Sequence, residues 1–498
     1  MTGDGANVGA NVDAIVAALR DAHLLVAAPG GAAFPARVRG ITDDSRHVAA
    51  GGLFIAVRGT KLDGHRFIPA ARAAGAAMVL AEDARHAAGG PAIIVRDGRR
   101  AAAVAAAAFY GTPGARLRLV AVTGTNGKTT TVGMLRHLLD AEAPGARAAS
   151  IGTLGVLLGS AGEAIDAGAG LTTPGPVDLQ RVLHLLVHRG AGAVAMEVSS
   201  HSLEQHRVEG VAFDAAVFTN VTRDHLDYHG TMEAYLAAKL SLADHVKPTG
   251  TLVVNADDAA WRALPERGRR VTFGMSAGAD VRAADVSYTP AGTRFRLEAG
   301  AAAPVHLPLI GDFNVANALG AAAAAIALGM TVDDVARRLG TMPQVPGRLE
   351  RIGSAPAVLR DYSHTPDSLE RALLALRPFV DGRLIVVFGA GGDRDPGKRP
   401  LMGAAAARHA DVVIVTSDNP RTEDPEAIID AIVAGIPGGA YERIEDRRTA
   451  IARAIAIADP GRDLVLLAGK GHETYQVRGT ERLPFDEAEI VRTIQAAR

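Results

Sequence analysis

The apolar run at residues 117–122 breaks at Thr123 into Thr123-Gly124-Thr125-Asn126-Gly127-Lys128-Thr129-Thr130, and a helical pattern follows at 130–139. A strand, a glycine turn and a helix in that order are the ingredients of a phosphate cradle. Backbone N–H groups face the phosphate, the lysine reaches its terminal oxygens, and the hydroxyl after the lysine ligates Mg²⁺. The spacing departs from the G-x-x-x-x-G-K-[ST] form, which requires glycine at position 122. Val122 stands there, and the early glycine is displaced to Gly124. Taken alone, the loop implies an α/β nucleotide site and leaves the reaction open, because phosphate loops serve many chemistries.

A chain of 498 residues exceeds one ordinary core and points to about three domains. The formal net charge of −1, with both signs scattered, offers no electrostatic footprint for nucleic acid or an anionic membrane. The chain has no cysteine, which excludes disulfides, thiolate zinc sites and cysteine nucleophiles. Residues 1–13 lack the basic and apolar regions of a signal peptide, as expected of a cytoplasmic protein. The apolar run 315–331 is dominated by alanine and interrupted by Asn317, so it reads as a buried helix and not a membrane span. A monomer acting on small molecules is expected.

Pro/Gly boundaries at 111–114 and 342–347 divide the chain into residues 1–105, 106–345 and 346–498. The first segment mixes strand signals at 52–57 and 77–80 with an alanine-rich helix at 100–110. In the second, apolar strands at 193–196 and 215–218 end in Glu197 and in Thr219-Asn220. In the third, strands at 384–388, 412–415 and 464–467 each break into a Gly- or Asn-rich loop. Strands alternating with helices imply mostly parallel sheets, whose ligands collect at the carboxyl ends of the strands. The fold class is therefore α/β in three domains, the last of them Rossmann-like.

Glu197 opens Glu-Val-Ser-Ser-His-Ser-Leu-Glu-Gln-His-Arg207, and a second cluster runs from Asn220 through Arg223-Asp-His-Leu-Asp-Tyr-His-Gly230. A carboxylate at Glu197 suits the same Mg²⁺ as the Thr129 hydroxyl. His201, His206, His225 and His229 lack a regular zinc-ligand spacing, and Mg²⁺ with one imidazole fits better.

Together with Gly347-Arg-Leu-Glu350, Asp361-Tyr-Ser-His-Thr-Pro-Asp367, Asp418-Asn-Pro-Arg421 and Gly469-Lys-Gly-His-Glu473, these motifs resemble the Mur ligases, ATP-dependent amide-forming enzymes of peptidoglycan precursor synthesis. The resemblance covers essentially the whole chain and is nearest to the branch that adds the third residue of the peptide. It implies an N-terminal domain for the UDP-sugar, a central ATPase domain and a C-terminal domain for the incoming amino acid. It also implies that a peptide carboxylate is activated by ATP as an acyl phosphate. Lys128, Glu197, His225, Lys239 and Arg348 would be catalytic. ATP would meet Gly124, Thr125, Asn126, Gly127, Lys128, Thr129, Thr130, Asn314, Asn317, Arg348 and Asp361. Two Mg²⁺ ions would be held by Thr129 and Glu197 and by His225 and Lys239, the lysine being carbamylated by CO₂. The UDP-muramoyl-dipeptide would meet Asp43, Ser45, Thr172, Thr173, Ser199, Gln205 and Arg207.

For the amino acid, the resemblance implies Arg394, Asp418, Asn419, Pro420, Arg421, Gly469 and Glu473. Meso-diaminopimelate differs from lysine by an extra carboxylate, which the planar guanidinium of Arg421 can bind in a bidentate way. A lysine-adding ligase of the same family is the nearest rival. Folylpolyglutamate synthetase, which shares the loop, and a nucleotide-binding protein without chemistry are further ones.

Overall fold

The computed structural model describes residues 9–28, 34–59, 62–87, 89–141, 146–167, 171–289 and 292–497. Among them the principal sheets have five, eleven and six strands, each drawn from its own stretch of chain. The first orders as Leu25–Ala27, Ala92–Val95, Met78–Ala81, Leu53–Ile55 and Ile41–Thr42, and only its first pair is antiparallel. The strand expected from position 52 starts at Leu53, because the Gly52 N–H is spent on the Ala49 carbonyl in a turn. The helix expected at 100–110 spans Gly98–Phe109, since Asp97 caps it by accepting from the Arg99 and Arg100 N–H groups. Such a cap contributes about 1 kcal/mol.

The central sheet is parallel through Arg147–Gly152, Ala191–Glu197, Arg118–Thr123, Phe213–Phe218, Val246–Asn255, Arg269–Gly274 and Val281–Thr289, with antiparallel additions at both ends. Strand Arg118–Thr123 lies in its middle. Its Leu119 and Ala121 enter the core on one face, and Val120 and Val122 enter the core on the other. That double burial is why the run reads as continuously apolar.

Two helices pack together on the Val120 face, Lys128–Leu139 and Asp312–Ala327. The first begins at Lys128, two residues before its sequence pattern, because Gly127 turns the chain at φ +85°. The second is the expected buried helix, shifted to start after Gly311. Alanine and Gly320 keep its face thin enough to lie against Phe273 and Val217. Among the described residues no helix is long and apolar enough to cross a membrane.

The third sheet runs Glu350–Ser354, Ala357–Asp361, Leu464–Ala468, Leu384–Phe388, Val412–Val415 and Glu442–Arg443, and all pairs but the first are parallel. The three glycine- or asparagine-rich loops named above therefore leave the same edge of this sheet.

Candidate active site

A cleft of about 530 Å³ opens between the carboxyl edge of the central sheet and the third sheet's Asp361–Arg371 region. Residues 125–130 of the phosphate loop line it. A Cβ at Gly124 (φ +149°) would overlap the Thr219 hydroxyl, and one at Gly127 would overlap Asn317 Oδ1, so both positions require glycine. The Asn126 N–H donates to Asn220 Oδ1 at 2.9 Å, and the Asn126 side-chain amide donates to Asp367 Oδ2 at 3.1 Å. This second bond ties the loop to the third domain.

Lys128 folds its ammonium over its own loop, donating to the carbonyls of Gly124 (2.9 Å) and Thr125 (2.8 Å). Burial lowers its pKa. Lys239, on helix Met232–Leu240, donates to the same Gly124 carbonyl at 2.8 Å and stands 4.4 Å from the Tyr235 ring centroid. It is 1% exposed, not the solvated lysine that its helix position alone would suggest. Burial, and then the Lys128 charge, push it well below the ordinary lysine value.

Glu197 ends its strand almost fully buried. Its carboxylate accepts from Thr153 N–H (2.8 Å) and Oγ1 (3.2 Å) while still lining the cleft with Thr129. His225, at φ +55°, opens helix Leu226–His229, and burial lowers its pKa to about 3. Its imidazole is therefore neutral near pH 7, the form that binds metal. Among the described residues no three His, Cys, Asp or Glu side chains gather as a ready metal site. Mg²⁺ fits all the same, because Thr129 and Glu197 offer hard oxygens to one cleft. Carbamylation also fits Lys239, since CO₂ adds to a neutral amine.

Arg348 reaches across from the third domain, donating to Thr129 Oγ1 at 2.9 Å and stacking 4.6 Å from the Tyr362 ring centroid. The pairing with Glu350 that sequence proximity suggests does not form; Glu350 instead accepts from Arg360 at 2.8 Å. Asn317 and Asp361 line the cleft, whereas Asn314 lies just behind it, donating to Ile310 O. Asp361 accepts from the Leu349 and Ser363 N–H groups, and burial raises its pKa.

Thr172 and Ser199 lie at the cleft wall. Thr173 Oγ1 donates to the Glu197 carbonyl (2.9 Å) and accepts from the Ser199 N–H (3.2 Å). Arg207 donates to the Thr173 carbonyl (2.9 Å) and to Gln205 Oε1 (2.6 Å). Thr173, Gln205 and Arg207 are thus a connected set behind Thr172 and Ser199, outside the cleft lining itself. Asp43 and Ser45 stand apart, outside the cleft lining. Asp43 is held above its ordinary pKa by burial, and Asp44, not Ser45, caps the turn Ser45–His47.

Arg394, Asp418, Asn419, Pro420, Arg421, Gly469 and Glu473 gather on the loops of the third sheet, beyond the cleft. Arg421 adopts φ +53°, fixed by its N–H to the Val477 carbonyl (3.1 Å) and by the Gly479 N–H to its own carbonyl (2.7 Å). A non-glycine residue held there stores strain, as binding loops often do. Its guanidinium donates to the Gly392 carbonyl at 2.6 Å; burial, then Arg394, lower its pKa. Asn419 Nδ2 donates to Glu473 Oε2 at 2.8 Å. A Cβ at Gly469 would overlap Asp418 Oδ2.

Sequence reasoning missed Lys470, which is fully buried inside this cluster, and Asp367, which meets Asn126 across 241 residues of chain. Both stood inside recognised motifs, but only the tertiary fold reveals their partners.

Known proteins are similar to this chain along nearly its whole length. Residues 37–110 match the model for the Mur ligase family catalytic domain, 122–325 that for the Mur ligase middle domain, and 347–471 that for the Mur ligase glutamate ligase domain. The UDP-N-acetylmuramoyl-L-alanyl-D-glutamate--2,6-diaminopimelate ligase of Synechococcus elongatus is 47% identical, covering 94% of this chain and 96% of its own. Its namesake in Geobacter metallireducens is 44% identical with the same coverage. A solved structure under that name superposes with a TM-score of 0.65 at 35% identity, covering 94% of this chain and 97% of the other. With these matches running from the first sheet to the last, the chain belongs to the Mur ligase family.

Proposed function

We propose that this chain is an ATP-dependent C–N ligase that adds meso-2,6-diaminopimelate to UDP-N-acetylmuramoyl-L-alanyl-D-glutamate in cytoplasmic peptidoglycan precursor synthesis. The observation that carries the reading is the mixed-sign cluster of Arg394, Arg421, Asn419 and Glu473 on a sheet edge whose neighbouring loop, at Tyr362, lines the phosphate-loop cleft. Full-length similarity to enzymes of that name supports it.

In this reading a glutamyl carboxylate of the dipeptide, held by Thr172, Thr173, Ser199, Gln205 and Arg207, attacks the γ-phosphorus of ATP and ADP leaves. Two anions must meet, so the residues' task is charge compensation and alignment. Lys128 swings from its loop carbonyls to the phosphates, and Arg348 bridges the two domains at the same point. Bound Mg²⁺, held by Thr129 and Glu197 and by His225 and carbamylated Lys239, would supply further neutralisation. The amine of diaminopimelate then attacks the acyl phosphate carbon, loses a proton as the C–N bond forms, and expels inorganic phosphate. Glu473 receives an ammonium and Arg421 the carboxylate that lysine lacks. Asp43 and Ser45 hold the uridine end, and Asn314, Asn317 and Asp361 the nucleoside of ATP.

The test is phosphate release from ATP with the UDP-dipeptide and diaminopimelate, lysine or no amino acid. Release that depends on diaminopimelate is expected. Release that ignores the amino acid would remove the reading.

A further inference from the structure

Lys470 has no place in the chemistry described so far, yet it is 0% exposed in the middle of the amino-acid cluster. Its ammonium donates to Asn419 Oδ1 at 3.1 Å and to Glu473 Oε2 at 3.3 Å, and lies 3.7 Å from Asp418 Oδ1. A buried ammonium is costly unless it is paired, and here carboxylates and an amide oxygen surround it. The contacts also have a direction. Asn419 Oδ1 accepts from Lys470 and from the Val477 N–H at 2.9 Å, so its amide nitrogen is turned toward Glu473 Oε2. Glu473 Oε2 then accepts from both Asn419 and Lys470, while among the described residues no donor reaches Oε1.

We infer that Lys470 is the positioning residue of the amino-acid site, locking the Asn419 amide and occupying one Glu473 oxygen so that the other is presented to the ammonium of the incoming substrate. The inference rests on the proposed function and adds to it the residue through which Asn419 and Glu473 act. Lys470 itself lies outside the lining of the phosphate-loop cleft. Among the described residues the polar partners of its ammonium are Asn419, Asp418 and Glu473, with the Tyr475 ring centroid 5.8 Å away.

The test is a double-mutant cycle on the full chain, with Lys470→Met, Glu473→Gln and both together, assayed for the KM of each substrate. Lys470→Met is expected to raise the KM for diaminopimelate about 30-fold and to leave the KM for ATP and the UDP-dipeptide within about 2-fold. Lys470→Arg should recover part of the loss. In the Glu473→Gln background the lysine substitution should cost less than about 3-fold, because the group it positions is gone. If Lys470→Met alone folds poorly, Lys470→Arg, which keeps the buried charge but not the geometry, takes its place in the cycle with Glu473→Gln. Equal rises in all three KM values, or full additivity of the two substitutions, would overturn the positioning role. Failure of the unsubstituted enzyme to use diaminopimelate would instead overturn the proposed function.

Discussion

Lys128 and Lys239 converge on a single oxygen, the carbonyl of Gly124, at 2.9 and 2.8 Å. Two ammonium groups cannot both be comfortable on one acceptor, and the buried one, Lys239, yields, its pKa held well below the ordinary value by burial and by Lys128. Replacing Lys239 by Ala is expected to lower kcat about 100-fold by removing the carbamate oxygens. Short carboxylates such as acetate or formate should restore part of the rate, as read by phosphate release. Full activity of the substituted enzyme would contradict the carbamate.

Gly124 cannot carry a side chain, because the space of its Cβ is taken by Thr219 Oγ1, which donates to the Asn126 carbonyl at 2.7 Å. Gly124→Ala should therefore displace the loop and raise the KM for ATP at least about 10-fold, with little change for diaminopimelate. Steady-state kinetics with each substrate varied in turn checks this.

Arg421 is held by backbone bonds on both sides in a left-handed conformation. Arg421→Ala is expected to lower kcat/KM for diaminopimelate about 100-fold, the loss of a charge-assisted bidentate contact, while nucleotide affinity stays unchanged. Equal loss of both, measured by calorimetric titration of an ATP analogue beside the kinetics, would remove its assignment.

The first and central domains are joined by Arg100 and Glu209, with Nη2 and Nε at 2.8 and 3.1 Å from Oε1. Hydrogen bonding from His206 and then Arg100, offset in part by burial, lowers the Glu209 pKa to about 2. A depressed carboxylate contributes stability above its unfolded value, near 4.5, and loses it as pH falls toward about 2. Glu209→Gln should flatten the acid side of the thermal-stability curve between those values and leave the KM for ATP unaltered.

Much of this molecule is legible in one sequence, and the reason is local. A strand buried on both faces, such as Arg118–Thr123, must be apolar at every position, and the glycines after it answer to collisions that no other residue avoids. Element ends were harder to read. Helix Lys128–Leu139 begins where Gly127 turns the chain, a choice that its hydrophobic period does not record. Burial of single polar residues was hardest. Lys239 and Lys470 look like ordinary charged residues in the chain, and only packing distant segments together removes both from water. The same limit applies to Arg348, whose nearby acid is Glu350 but whose partner is Thr129, 219 residues earlier.

The central claim is that the third domain chooses diaminopimelate through Arg421, and a competition measures it most directly. The enzyme, ATP and UDP-N-acetylmuramoyl-L-alanyl-D-glutamate are incubated with equal concentrations of meso-diaminopimelate and L-lysine, and the UDP-peptide product is identified by mass spectrometry. The account predicts the diaminopimelate adduct with lysine product at least about 100-fold less abundant, as a half-buried guanidinium left without a carboxylate partner requires. A lysine adduct in comparable or greater amount would contradict it.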